Sequence, residues 1–163
     1  MPKVAIIMGS ASDLPVLQPA LERLAHFGIE TTPRVLSAHR TPDAAAVFAR
    51  TSSQEGFDCI IAAAGKAAHL PGVLAAFTTL PVIGVPIKSS FMDGMDSLLS
   101  IVQMPAGVPV ATVGVDAAEN AAILAAQILA LKYPELSAKL TAFKDELARK
   151  VADSDEKLQR GAH

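Results

Sequence analysis

Within six residues, Ser37-Ala38-His39-Arg40-Thr41-Pro42 gathers an imidazole, a guanidinium and two hydroxyls. An imidazole titrates near neutral pH and moves protons. A guanidinium grips phosphate through parallel N–H bonds. The pattern is that of a site which holds a phosphorylated molecule and does proton chemistry on it. A second stretch, Gly9-Ser10-Ala11-Ser12-Asp13, offers backbone N–H groups and two more hydroxyls at a predicted helix start, where anions are favoured. It lacks the Gly-Lys-Ser/Thr ending of a P-loop and the later glycines of a dinucleotide fingerprint. Taken alone it also reads as a plain helix cap by Ser10, Ser12 or Asp13. Asp13 would repel a phosphate but accepts hydrogen bonds, so ribose hydroxyls suit it better.

A third stretch runs from Ala64 to Gly72 and contains Gly65, Lys66 and His69. His69 reads either as a site imidazole or as a group that orders the loop. Lys66 reads either as an anion ligand or as a solvated charge, and spacing does not separate the two. His39 and His69 have no spaced third ligand, so no metal site is expected. His26 is expected to be exposed near the end of the first helix, and His163 is terminal. No Ser-His-Asp arrangement can be read from the spacing.

The elements that must position these residues alternate. Lys3 to Met8 is a continuous apolar run, as in a strand covered on both faces. Leu14, Leu17, Leu21 and Leu24 recur at helical spacing, and Gly28 stops that helix. Residues 30–36 read as a strand leading into the His39 turn. Pro42 suits the first turn of the next helix, with Ala44, Val47 and Phe48 on one face. Residues 58–63 are a third strand, followed by the Gly65 loop and a short helix ending near Thr78. Leu80 to Val85 is a fourth strand, 94–102 a helix, Val108 to Val115 a fifth strand, and Asn120 to Leu131 a buried helix. Strands alternating with helices predict an α/β protein with a doubly wound parallel sheet, a flavodoxin-like three-layer sandwich. Ligands bind such sheets beyond the carboxyl ends of the strands. The Gly9–Asp13 loop, the His39 turn and the Gly65–Gly72 loop all follow strands, so they should converge on one edge.

The 163 residues suffice for one domain with a full core. A net charge of −2 argues against a nucleic-acid partner. One cysteine, Cys59, excludes an internal disulfide and suits a reducing cytoplasm; it sits in a strand-like run and reads as an inert core thiol. The chain opens directly on a strand, so no signal peptide is expected. No apolar run reaches membrane-spanning length. After Tyr133-Pro134, residues 135–158 form a C-terminal helix with Leu136, Leu140, Phe143, Leu147 and Val151 on one face and charges on the other. It can fold back on its own domain or pack on a neighbouring subunit.

Several ordered motifs then make the chain recognisable. They are Met8 to Asp13, Ser37 to Pro42, Ala67-Ala68-His69-Leu70-Pro71-Gly72, Leu80 to Pro86, Ser97 to Pro105, and Asn120-Ala121-Ala122 with its apolar helix. Over nearly its whole length the chain resembles class I N5-carboxyaminoimidazole ribonucleotide mutases of purine biosynthesis. It departs from them in the third loop, where Gly-Ala-Gly-Gly is expected and Ala63-Ala64-Gly65-Lys66 stands. The resemblance implies a cytoplasmic homo-octamer with active sites near subunit boundaries, which favours an intersubunit place for helix 135–158. It implies a ribonucleotide substrate and no cofactor or metal, with His39 as the acid–base group. Gly9, Ser10, Ser12, Asp13, Ser37, Arg40, Gly65 and His69 would bind substrate, and Met104 and Pro105 would cover the base. Two other readings stay open: a related carboxylase that uses free CO2, which usually carries Lys where this chain has Arg40, and a non-catalytic nucleotide-binding module.

Overall fold

The computed structural model describes residues 1–161; His163 lies outside them. Five parallel strands form one sheet in the order β2-β1-β3-β4-β5. They are β1 (Lys3–Met8), β2 (Glu30–Val35), β3 (Cys59–Gly65), β4 (Val82–Ile87) and β5 (Ala111–Thr112). Six helices connect and follow them: α1 (Leu14–Phe27), α2 (Pro42–Thr51), α3 (Leu70–Phe77), α4 (Met95–Val102), α5 (Ala118–Leu129) and α6 (Glu135–Gly161). The doubly wound sandwich predicted from the alternation is the observed one.

The central strands are apolar throughout because both faces are covered. Val4, Ile6 and Met8 of β1 pack with α1 and α5, whereas Ala5 and Ile7 face the other layer with Phe48 of α2 and Leu74 of α3. Alternate residues of β3 divide in the same way, with Ile61 and Ala63 on the first side and Ile60 and Ala62 on the second. Alanine brings the layers close: Ala121, Ala122, Ala125 and Ala126 of α5 are all buried. On the opposite side, a Cβ on Gly84 of β4 would run into Ile101 of α4. Gly28 takes a left-handed φ of 73° and ends α1, as its position predicts.

Several features differ from the sequence reading. The fourth strand begins at Val82, two residues late, because Pro81 has no N–H for the ladder. The fifth strand shrinks to Ala111–Thr112, paired with Ile83 and Gly84; it is an edge strand flanked by Pro109 and Gly114. In α2 the buried face is Ala45, Phe48 and Ala49, while Val47 is exposed. Helix α5 is buried on one face, not all round, since Asn120 and Gln127 are exposed.

Helix α6 changes character along its length. Leu136 and Phe143 are buried in the chain's own core, and Phe143 meets Phe27 edge to face at 5.9 Å. From Leu147 onward the same stripe is uncovered, with Val151 and Leu158 about 70% exposed.

Candidate active site

The loops that leave β1, β2, β3 and β4 at their carboxyl ends surround one cavity of about 560 Å³. That size suits a nucleotide-sized ligand. All nine residues singled out as site candidates border it: Gly9, Ser10, Ser12 and Asp13 after β1, Ser37, His39 and Arg40 after β2, and Gly65 and His69 from the end of β3 and its loop.

The β1 loop makes a single 3-10 turn, Ala11–Asp13, before α1. Ser10 caps that turn: its Oγ accepts from the Ser12 N–H at 3.3 Å and from Ser12 Oγ at 2.9 Å. Asp13 makes no side-chain cap. Burial pushes its carboxyl above the usual carboxylate range; a backbone hydrogen bond from Ser10 opposes this and the charge of Asp116 adds to it.

The β2 loop is held by its own residues. The Thr41 N–H donates to the Ser37 carbonyl at 2.9 Å, and the Ser37 N–H donates to Thr41 Oγ1 at 2.9 Å. This closed turn sets Arg40 across the neighbouring loop, where its Nη2 donates to the Gly9 carbonyl at 2.9 Å. Its Nε reaches Ser37 Oγ at 3.4 Å. The guanidinium thus ties the first two loops together and keeps its other N–H groups for a ligand.

His39 and His69 come from different loops and meet directly. His39 Nε2 lies 2.8 Å from His69 Nδ1, with the rings nearly perpendicular at 86°. At that distance one nitrogen carries a proton and the other offers a lone pair, so the two tautomers are linked. The same cavity has an apolar part to its lining: Ala38, Ala64, Ala67, Leu70 and Ile87. Among the described residues no group of three or more His, Cys, Asp or Glu could hold a metal ion.

The fourth loop was missed by sequence reasoning. Ile87, Lys88, Ser89 and Ser90 complete the cavity wall. The rule that places ligands beyond strand ends covers β4 too, and it could have found them. Tertiary contacts define their roles. Lys88 pairs with Asp93 at 2.8 Å, its N–H donates to Asp116, and Ser89 Oγ donates to the Asp96 carboxylate at 2.8 Å. Met104 and Pro105 do not border the cavity formed by this chain; Met104 lies over Gly72 instead. His26 is exposed on α1. Cys59 is fully buried in the core, and burial pushes its thiol up to about 12.

Comparison with known proteins decides the family. Residues 3–150 match the family described as AIR carboxylase. The chain belongs to the AIR carboxylase family. An N5-carboxyaminoimidazole ribonucleotide mutase of Pyrococcus abyssi is 58% identical over 149 residues, spanning 91% of this chain and 86% of that one. The mutase of Thermotoga maritima is 53% identical over 160 residues, spanning 98% and 94%. The crystal structure of Treponema denticola PurE superposes with a TM-score of 0.86 at 32% identity, covering 97% of this chain and 99% of that one. The AIR carboxylase family match ends at residue 150, within the exposed half of α6.

Proposed function

We propose that this member of the AIR carboxylase family is an N5-carboxyaminoimidazole ribonucleotide mutase. It moves a carboxylate from the exocyclic nitrogen of the aminoimidazole to a ring carbon, in purine biosynthesis. The observation that carries the chemistry is the His39–His69 contact of 2.8 Å in a cavity that also has apolar lining. Names shared by relatives more than half identical over most of the chain support the substrate.

Decarboxylation breaks the N–CO2 bond and the nitrogen takes up one proton. The ring carbon then attacks CO2 and loses one proton. The two steps balance, so a single acid–base group serves both. His39 is that group: it gives its proton in the first half and takes one back in the second. His69 holds the imidazole in position and shares the proton through its own ring nitrogen. Released CO2 is small and neutral, and Ala64, Ala67, Leu70 and Ile87 give it a dry surface. Arg40, Ser10 and Ser12 hold the 5′-phosphate, with Ser37 and the backbone of Gly9 and Gly65 shaping the site. Asp13 takes the ribose hydroxyls. The chain works as one catalytic domain in the cytoplasm, within a homo-octamer in which the exposed part of α6, residues 147–161, lies on a neighbouring subunit. No helix among the described residues is long and apolar enough to cross a membrane.

Substrate labelled in its carboxyl group tests the reaction. A mutase passes the label to product in a large excess of unlabelled bicarbonate. Loss of label, with efficient use of aminoimidazole ribonucleotide and bicarbonate, would identify a carboxylase instead.

A further inference from the structure

The cavity carries three cations, and two of them are engaged. Arg40 donates to Gly9 and Ser37, and Lys88 is paired with Asp93. Among the described residues bordering the cavity, Lys66 is the cation whose side chain has no ion pair and no hydrogen bond. Its backbone is left-handed, with φ at 55°, a conformation that disfavours any residue with a Cβ. Ordered neighbours flank it. Gly65 is registered against Ile87 of β4, Ser100 Oγ reaches the Lys66 carbonyl at 3.4 Å, and the His69 N–H closes on the Ala67 carbonyl at 2.9 Å. A strained lysine with a free ammonium therefore sits three residues from the His69 that touches His39.

We infer that Lys66 binds the migrating carboxylate. This rests on the mutase reading, in which the ligand has two anionic ends. The phosphate end belongs with Arg40 and the serines after β1 and β2. The carboxylate belongs with the His39–His69 pair, and Lys66, which borders the same cavity three residues before His69, supplies the positive charge for it. Carboxylate becomes neutral CO2 when the N–CO2 bond breaks, so the charge pair exists in the bound substrate and product but not between the two half-reactions. Lys66 therefore acts on affinity for the carboxylated nucleotides more than on turnover.

The experiment compares binding of 4-carboxy-5-aminoimidazole ribonucleotide with that of aminoimidazole ribonucleotide, which lacks the carboxylate. Calorimetric titrations use the wild type, Lys66→Gly, Lys66→Met and Lys66→Arg. Lys66→Gly removes charge and strain together; Lys66→Met removes the charge alone. Both should lose about tenfold or more in affinity for the carboxylated nucleotide, the scale of a hydrogen bond to a charged group, and little for the other. Lys66→Arg should retain most of the preference, and in the neutral variants KM should rise by more than kcat/KM falls. Equal losses for both nucleotides, or a loss confined to Lys66→Gly, would overturn the assignment. A wild type without mutase turnover that still prefers the carboxylated nucleotide through Lys66 would refute the proposed function and keep this site. Normal turnover with the preference intact in both neutral variants would do the reverse.

Discussion

Replacing Arg40 by alanine should weaken nucleotide binding and leave the dephosphorylated riboside nearly untouched. The guanidinium bridges two loops, from Gly9 O at 2.9 Å to Ser37 Oγ at 3.4 Å, with other N–H groups left for a phosphate. Loss of a hydrogen bond to a charged group costs about 1.5–3 kcal/mol. At about 1.4 kcal/mol per decade that is roughly a 10- to 150-fold rise in Kd for aminoimidazole ribonucleotide. The Gly9 tie is lost as well, but the Ser37–Thr41 turn closes through its own bonds, so the β2 loop should keep its shape. The riboside, which has no phosphate, should therefore change by about twofold or less on that account. Arg40→Lys keeps the charge but not the planar fork, and should fall between wild type and alanine. Calorimetric titration of the three proteins with nucleotide and riboside, at two ionic strengths, measures all of this; the nucleotide loss should shrink as salt screens the wild-type contact. An unchanged nucleotide Kd would remove Arg40 from the phosphate site. An equal loss for riboside would make it a loop-positioning residue only.

Three further outcomes are expected. His39→Asn should keep ligand binding and lose about 10²-fold or more in turnover; near-normal turnover would shift the acid–base role to His69. Asp58 accepts from Lys132 Nζ at 2.7 Å, Tyr133 OH at 3.1 Å and the Lys3 N–H at 3.0 Å. Burial raises its pKa, but these bonds outweigh it and hold the carboxyl below the usual range. Its folded pKa is lowered, so its stabilisation is present above the unfolded value near 3.8 and lost as pH falls through the folded one. Asp58→Asn should cost roughly 2 kcal/mol at neutral pH, or roughly 4–8 °C in Tm, with the gap closing below that window; a gap that is constant with pH would show that charge is not involved. Cutting the chain after Glu146 keeps Leu136 and Phe143 in the core. That variant should remain folded by circular dichroism but give smaller species in light scattering, and an intact octamer would show that the exposed half of α6 is not needed for assembly.

The fold was legible wherever burial forces a pattern. β1, β3 and β4 are covered on both faces, so they read as unbroken apolar runs. Legibility failed where packing is set by neighbours. In α2 alanine occupies residues 44–46 and 49, so the apolar stripe has no marked phase, and the sheet picks Ala45 over Ala44. In Val108–Val115 the apolar run is genuine, but an edge strand has one partner, and only two residues find it. The stripe of α6 is continuous in the sequence, yet the domain's cover ends just beyond Phe143. A helix rises about 1.5 Å per residue, so residues 147–161 run on beyond the part of α6 that the core covers, and no local signal marks the change.

For the site, the sequence named three of the four loops but could not show which side chains meet. His39 and His69 are 30 residues apart, in the loops after β2 and β3. Because the strand order is β2-β1-β3, β1 lies between them, and the two imidazoles join across its carboxyl end. The residue there is Gly9, and a Cβ added to it would meet nothing within 4 Å. Its lack of a side chain is therefore not a packing requirement: Gly9 borders the cavity that both histidines also line. The glycine was readable as a loop residue, and the histidines as candidates. That the three loops share one edge was readable from their places after strands; which side chains meet there is set by the order of the strands, and local spacing does not encode that order.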